Sequence, residues 1–218
     1  MKNYFFAASI VIAVGLAMLL GPGPSYATLT LQTGLVGGSG DVDNVLFSTC
    51  GTSPGPSTTI QGCLNTDTTI LVNFTSTENL VVPAGGQARV EGADGSFDTV
   101  TITLDDATLG FSKLQFNLDA STDGTVTFQG VDQFGTIFNF GTFALGGSGQ
   151  NFFTLGSVDD QVAVSFTIAS TAPLQALTNL EQVRLGPAEI GTVAEPASLL
   201  LLGAGLAGLA AIRCRKSA

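Results

Sequence analysis

Five closely spaced pairs of aspartates are the residues of this sequence whose type and spacing could carry chemistry. Two carboxyl groups at a suitable separation can act as acid and base, or as acid and nucleophile, in the hydrolysis of a glycosidic bond. Carboxylate oxygens are also the ligands that a calcium ion prefers. The pairs are Asp41/Asp43, Asp94/Asp98, Asp105/Asp106, Asp119/Asp123 and Asp159/Asp160. They raise two hypotheses, an enzyme acting on carbohydrate and a calcium-binding protein.

Two of these pairs have a spacing that could hold calcium. The segments Asp94-Gly-Ser-Phe-Asp98 and Asp119-Ala-Ser-Thr-Asp123 could each supply two carboxylates together with backbone carbonyls. Neither segment matches an EF-hand loop. Aspartate also favours turns, because its side chain hydrogen-bonds its own backbone. Calcium binding by Asp94, Asp98, Asp119 and Asp123 is therefore one prediction, and solvated turn acids are the alternative that the turn preference favours.

The sequence contains no histidine, and this removes several classes of enzyme. Ser-His-Asp and Cys-His arrangements and histidine-based zinc sites all need an imidazole. The sequence also has no Walker motif and no Cys-x-x-Cys pair. These observations favour a protein that is not an enzyme. A secreted carbohydrate-active enzyme that uses paired aspartates is the alternative.

The first residues have the features of a signal peptide. Lys2 and the amino terminus carry positive charge, and residues 5–20 form an uncharged apolar stretch. Ser25 and Ala27 place small residues at the −3 and −1 positions of a signal-peptidase site. We expect residues 1–27 to form a signal helix that signal peptidase removes after Ala27. An uncleaved membrane anchor is the alternative.

The C-terminus combines an acidic-proline motif, a short apolar span and a basic end. These parts are Ala194-Glu195-Pro196, residues 197–212, and Arg213, Arg215 and Lys216. A helix of this span would be about 24 Å long, which is short for a hydrocarbon core of roughly 30 Å. Basic residues follow the span, so the positive-inside rule places the C-terminus in the cytoplasm and the preceding domain outside. The short span favours a temporary anchor, and a plain C-terminal membrane anchor is the alternative.

This order of motif, span and basic end resembles the PEP-CTERM sorting domain, which exosortases process in diderm bacteria. The usual motif is Pro-Glu-Pro, and Ala194 replaces its first proline, whereas Glu195 and Pro196 match. The resemblance implies a sorting tail over residues 194–218, a transient stay in the inner membrane and cleavage near Glu195-Pro196. It also implies a final location at the cell surface or in the extracellular matrix, where exopolysaccharide is a candidate partner.

Residues 28–193, which we call the ectodomain, show the alternation of β-strands. Val162, Val164, Phe166 and Ile168 alternate with small or polar residues, which indicates a half-buried strand. Similar alternation occurs near residues 100–104, 114–118 and 126–128, with turn signals such as Asp-Gly between the segments. We therefore predict an all-β fold, a jelly-roll-like antiparallel β-sandwich. Arg184 lies in such a strand, where an ion pair with an acid such as Glu181 is its simplest role.

The two cysteines of the ectodomain are predicted to form a disulfide. Cys50 and Cys63 are separated by a Gly- and Pro-containing segment, and the oxidising compartment implied by export favours their pairing. Closing a loop of this length contributes on the order of 3 kcal/mol in the chain-entropy account. Two unpaired buried thiols are the alternative.

The charge and composition of the ectodomain limit its partners. It contains sixteen acidic and three basic side chains, a formal charge of −13, so it would be repelled by nucleic acid and by anionic lipid. The sequence has no tryptophan and two tyrosines, which argues against a flat aromatic platform for sugars. We therefore predict an exported surface or matrix protein that has a structural, adhesive or glycan-associated role.

Overall fold

The ectodomain folds from twelve β-strands. The computed structural model describes residues 28–50, 55–83, 89–147, 149–158, 161–171 and 177–191. The strands are β1 Thr28–Thr33, β2 Asp43–Leu46, β3 Ser57–Leu64, β4 Leu71–Val81, β5 Arg89–Gly92, β6 Thr99–Leu104, β7 Leu109–Ala120, β8 Gly124–Asp132, β9 Ile137–Leu145, β10 Asn151–Val158, β11 Ala163–Ser170 and β12 Leu177–Glu189. Within these ranges there is no helix, and so none that could cross a membrane. The predicted signal helix and the predicted span 197–212 lie outside them.

Every strand pairing is antiparallel, and the all-β prediction is confirmed. We call β1-β10-β7-β12 layer one and β3-β4-β6-β11-β8-β9 layer two. Strand β2 joins the layers by pairing with β12 and β3, and β5 joins them by pairing with β12 and β4. One further backbone pair joins the layers, between Ala163 of β11 and Phe111 of β7. The arrangement is a sandwich with barrel-like closure.

The core between the layers is built largely from phenylalanine. Phe116 of β7 contacts Phe153 of β10 within its own layer, with ring centroids 5.6 Å apart. It also contacts Phe128 and Phe166 of layer two, at 5.8 and 5.6 Å. All four rings are almost fully buried. Tilted and offset ring pairs at these distances add to the stabilisation from apolar burial, so this cluster holds the two layers together.

The alternation predicted for β11 is interrupted by a bulge. Phe166 and Ile168 are fully buried, as expected, but Ala163 is also buried and Val164 is only half-buried. The register of β11 against β8 shifts between Ala163 and Ser165. An extra residue in one strand leaves one position unpaired and reverses the side-chain alternation at that point. The strand prediction is confirmed, and the orientation predicted for Val164 is wrong.

The predicted disulfide is confirmed. Cys50 and Cys63 are bonded, with Cα atoms 5.8 Å apart, and Cys63 is fully buried beside the start of the β3–β4 turn. The bond ties the segment after β2 to the end of β3.

Replacing both cysteines by alanine should lower the free energy of unfolding by on the order of 3 kcal/mol, because the unfolded chain gains the entropy of an open loop. Urea unfolding of the wild type and of the Cys50→Ala/Cys63→Ala variant measures the difference. The wild type treated with a reductant serves as the control and should approach the variant. Equal stability of all three samples would contradict the prediction.

Candidate functional site

A row of polar side chains crosses the outer face of layer two. Residues that are direct partners in antiparallel strands lie on the same face of a sheet, and the register aligns one polar residue from each of the six strands. We call this the polar row: Thr59, Thr75, Thr101, Thr167, Gln129 and Asn139. With about 4.8 Å between neighbouring strands, the row is about 24 Å long.

Hydrogen bonds between side chains fix parts of the polar row. The hydroxyl groups of Thr101 and Thr167 lie 2.9 Å apart. At the end of the row, Gln129 Nε2 donates to Asn139 Oδ1 at 2.9 Å. This bond leaves the Gln129 carbonyl oxygen and the Asn139 amino group as exposed groups that can bind a ligand.

A depression of about 360 Å³ lies at this end of the row. Its side-chain donors and acceptors come from Thr127, Gln129, Asn139 and Thr167. Gly141 also lines it, with a φ of +81° that favours glycine. Between the pairs Thr127–Thr142 and Gln129–Asn139 the register shifts by one residue. The bulge therefore places Gly141, which has no side chain, at the wall of the depression.

A second amide pair lies on the same face but outside the depression. Gln61 Nε2 donates to Asn73 Oδ1 at 2.9 Å, and both amides donate to Asp105 Oδ1, at 3.3 and 3.1 Å. Layer two therefore carries two Gln–Asn pairs of equal geometry. One borders the uncharged depression, whereas the other donates hydrogen bonds to the carboxylate of Asp105.

On the outer face of layer one, a glycine-rich strap (residues 34–41) crosses the sheet. Lys113 of β7 holds it, because its Nζ donates to the carbonyls of Gly37 and Gly38 at 3.1 and 2.9 Å and to Asp41 at 2.8 Å. The hydrogen bond from Lys113 lowers the pKa of Asp41 below its usual 3.8. The stabilisation from this pair is therefore present above the usual pKa and is lost as the pH falls through the lowered value.

Two amide side chains of β7 are buried on this face. Gln115 donates to the carbonyls of Val36 and Gly38, but its Oε1 has no hydrogen-bond partner. Asn117 is fully buried, and neither its Nδ2 nor its Oδ1 is partnered. The alternating pattern of β7 predicted these positions to be solvent-facing, and it gave no signal that they are covered. We assign no function to them.

Arg184 of β12 does not make the ion pair with Glu181 that the sequence suggested. Glu181 pairs with Arg89 at 3.3 Å, and Arg89 also pairs with Glu91 at 2.6 Å. Arg184 instead donates from Nε to Asn44 Oδ1 at 3.0 Å. The pairing of β5 with β12 brings Arg89 to Glu181, a long-range contact that alternation along one strand could not predict.

The four aspartates predicted to bind calcium each take part in a different hydrogen bond. Asp94 accepts from the backbone of Ser96, and Asp98 accepts from the Ser170 hydroxyl. Asp123 accepts from the backbone of Gly147 at 2.8 Å, while the backbone carbonyl of Asp119 accepts from Thr178. In the part of the chain that the structure describes, no three side chains of aspartate, glutamate or cysteine come together as a metal site would require. Calcium binding stays a prediction.

Two further aspartates accept hydrogen bonds from the threonine two residues later, as expected for turn residues. The hydroxyl and amide of Thr69 lower the pKa of Asp67, and those of Thr108 do the same for Asp106. A lowered pKa keeps a carboxyl ionised and makes it a poor proton donor. Asp106 belongs to one of the predicted pairs, and Asp159 and Asp160 of another lie outside the described residues.

The C-terminal tail carries a recognisable sorting motif. Residues 192–216 match the family model of the PEP-CTERM protein-sorting motif. The match includes Glu195, Pro196 and the predicted span, so the resemblance seen in the sequence is confirmed. A PEP-CTERM motif implies an exported protein that is sorted by an exosortase. Signal peptide and cleavage sites stay predictions.

Outside the sorting motif, this chain has little similarity to known proteins. No curated protein matches it. An aspartate-to-alanine variant of CBM29-2, a family 29 carbohydrate-binding module, is 13% identical with a TM-score of 0.34, covering 73% of this chain and 85% of that one. CBM29_1 from Piromyces equi is 15% identical with a TM-score of 0.24, covering 79% of this chain and 97% of that one. These scores are too low to transfer a fold or a ligand.

Proposed function

We propose that this protein is a non-catalytic component of the cell surface or extracellular matrix that associates with glycans through the depression in layer two. The sorting motif at residues 192–216 is the observation that carries the location. The uncharged depression at the end of the polar row supports the glycan-associated role. We also propose that the ectodomain is a jelly-roll-like sandwich.

The proposed route follows from the two ends of the chain. Signal peptidase cleaves after Ala27, and the span 197–212 then holds the ectodomain at the periplasmic side of the inner membrane. Arg213, Arg215 and Lys216 keep the C-terminus in the cytoplasm. An exosortase cuts near Glu195-Pro196, and the ectodomain passes to the cell surface or matrix.

The chemistry of the depression suits sugar hydroxyl groups. Hydroxyl and amide side chains both donate and accept hydrogen bonds, and sugar hydroxyls do the same. The residues lining the depression include no acid that could serve as a proton donor, which is why we propose binding and not hydrolysis. Because no charged group lines it, an uncharged stretch of polysaccharide is the ligand class that fits it best.

Replacing Gln129 and Asn139 by alanine should weaken polysaccharide binding about tenfold or more, because hydrogen bonds to a ligand contribute about 0.5–1.5 kcal/mol each. Calorimetry and affinity electrophoresis against a panel of neutral and acidic polysaccharides measure this change. The matched control is Gln61→Ala/Asn73→Ala, which removes an amide pair of the same geometry outside the depression.

Three results would contradict the proposal. These are no binding to any polysaccharide of the panel, equal losses for the two double variants, and the appearance of shorter sugar products during incubation. The third result would support the alternative of a carbohydrate-active enzyme, and substituting one aspartate pair at a time would then locate its acids.

A further inference from the structure

The chain enters and leaves the domain at the same end of layer one. Thr28, the first residue after the predicted signal peptide, pairs with Val158, the last residue of β10. Strand β12 ends at Glu189, which pairs with Leu109 at the start of β7. Since β10 and β12 both pair antiparallel with β7, Val158 and Glu189 lie at the same end of the layer. We call this the tail end of the domain.

Three exposed apolar side chains lie at the tail end. Phe134, Ile137 and Val158 are 54, 57 and 46% exposed. Phe134 lies in the β8–β9 turn, and Ile137 is the first residue of β9. The backbone amide of Gln133 donates to the carbonyl of Val162 at 3.0 Å, which holds this turn against the segment between β10 and β11. Exposed apolar groups that cluster in this way mark interaction surfaces. We call Phe134, Ile137 and Val158 the apolar patch.

Val162 also links the apolar patch to the strand from which the chain leaves. A side chain on Gly110 of β7 would meet Val162, and Gly110 pairs with Ala188 of β12. Ala188 therefore lies about 10 Å from Val162, or two strand spacings. Two residues later, the amide of Ile190 donates to the carbonyl of Thr108 at 3.0 Å. The chain is thus held in place up to Ile190, close to the patch.

The predicted cleavage site lies only a short way beyond this exit. Glu195 follows Ile190 by five residues, and an extended chain covers at most about 3.6 Å per residue. An active site that cuts near Glu195 must therefore come within about 18 Å of Ile190. A folded domain of even 100 residues has a radius of gyration of about 13 Å. An enzyme of that size or larger must touch the tail end of the domain while it cuts the tail.

Charge favours a protein surface over lipid as the partner of the apolar patch. Exposed acids also lie at the tail end, namely Asp105 and Asp106 in the β6–β7 turn and Glu189 at the end of β12. A bilayer that contains anionic lipid repels such an end. The patch itself is uncharged and apolar, so it requires an apolar surface opposite it. The enzyme that cuts the tail is the protein that must come within reach.

We propose that the membrane enzyme that cuts the tail also binds the apolar patch. This inference rests on the proposed function, in which an exosortase cuts near Glu195-Pro196, and it adds a second point of recognition to the motif. Phe134, Ile137 and Val158 pack against an apolar surface on the periplasmic side of that enzyme. Binding there fixes the orientation of the ectodomain, so the short segment after Ile190 is presented to the active site.

The rate at which the membrane-bound form becomes the released form tests this proposal. Replacing Phe134, Ile137 and Val158 together by serine should lower that rate about fivefold or more, because truncating apolar anchors weakens protein contacts by such factors. Pulse-labelling of cells, followed by immunoprecipitation from membrane and medium fractions, measures the rate. Thermal unfolding of the released protein shows whether the triple variant keeps the wild-type fold, and Ile137→Ser alone replaces it if the triple variant unfolds.

The matched control is Leu35→Ser/Val36→Ser, which removes exposed apolar side chains from the strap on the outer face of layer one. This variant should be released at the wild-type rate. In cells without the exosortase, the patch variant and the wild type should remain in the membrane fraction to the same extent, because the patch acts only through the enzyme.

Three results would overturn the proposal. These are release of the patch variant at the wild-type rate, an equal loss for the strap variant, and patch-dependent binding of the released protein to vesicles of phosphatidylethanolamine and phosphatidylglycerol, which would assign the patch to lipid. Each of them leaves the proposed function intact, since cleavage at the motif still occurs. Normal release of the Glu195→Ala/Pro196→Ala variant would instead contradict the proposed function, and this proposal with it.

Discussion

Replacing Phe116 by alanine should lower the free energy of unfolding by about 3–5 kcal/mol, as deleting a large buried ring does in other cores. Phe116 is fully buried and contacts Phe153 in its own layer as well as Phe128 and Phe166 in the other. Its removal takes apolar surface from both layers and leaves a cavity that the remaining rings fill only in part. Urea unfolding of dilute protein measures the change.

Phe134→Ala is the matched control for this substitution. It removes the same ring from an exposed position in the β8–β9 turn, so the free energy of unfolding should change by less than about 0.5 kcal/mol. Equal destabilisation by the two substitutions would contradict the central role of the phenylalanine cluster.

Replacing Glu195 and Pro196 by alanine should abolish release of the ectodomain and leave the protein in the membrane fraction. Proline disfavours helix at the residue before it, so we expect Pro196 to favour an extended segment at Glu195, as a protease-like active site requires. Without it, the helix predicted for residues 197–212 would be free to continue through the cleavage region. Immunoblotting of membrane and medium fractions measures the distribution.

Ala194→Pro is the control for the sorting motif, because it restores the usual Pro-Glu-Pro sequence. This variant should be released at least as completely as the wild type. Unchanged release of the Glu195→Ala/Pro196→Ala variant would show that these residues do not direct processing.

The strands that could be predicted from the sequence are those with one apolar face and one polar face. The alternating segments near 100–104, 114–118 and 126–128 lie within β6, β7 and β8. In each, one set of side chains enters the core and the other does not, so a period of two is visible in the residues themselves. The disulfide could be predicted too, because two cysteines in an exported domain leave few other roles.

Where tertiary contacts override the local pattern, prediction from sequence failed. Gln115 and Asn117 are buried although they face away from the core, because the outer side of β7 is itself covered. In β12 the register shifts between Glu181 and Arg184, and Gln182 has a φ of +51° there. Such a bulge depends on the partner strand, so nothing in the order of residues along β12 shows it.

The candidate site was beyond prediction for the same reason. Thr167 lies beside Gln129 in space but 38 positions away in the chain, and their alignment follows from the register of β11 against β8. Alternation indicates which residues face outward but not which of them meet. Among the aspartates that the sequence offered as candidates, Asp94, Asp106 and Asp123 accept hydrogen bonds from backbone amides, and calcium binding stays a prediction.

The mass of the protein recovered from the medium and the membranes of cells with and without an exosortase tests the central claim most directly. With the exosortase, the released protein should begin at Thr28 and end near Glu195-Pro196, without the mass of the span and the basic end. Without it, the protein should keep its complete tail and remain in the membrane fraction. The same C-terminal mass in both strains would contradict the assignment of this chain as an exosortase-sorted surface protein.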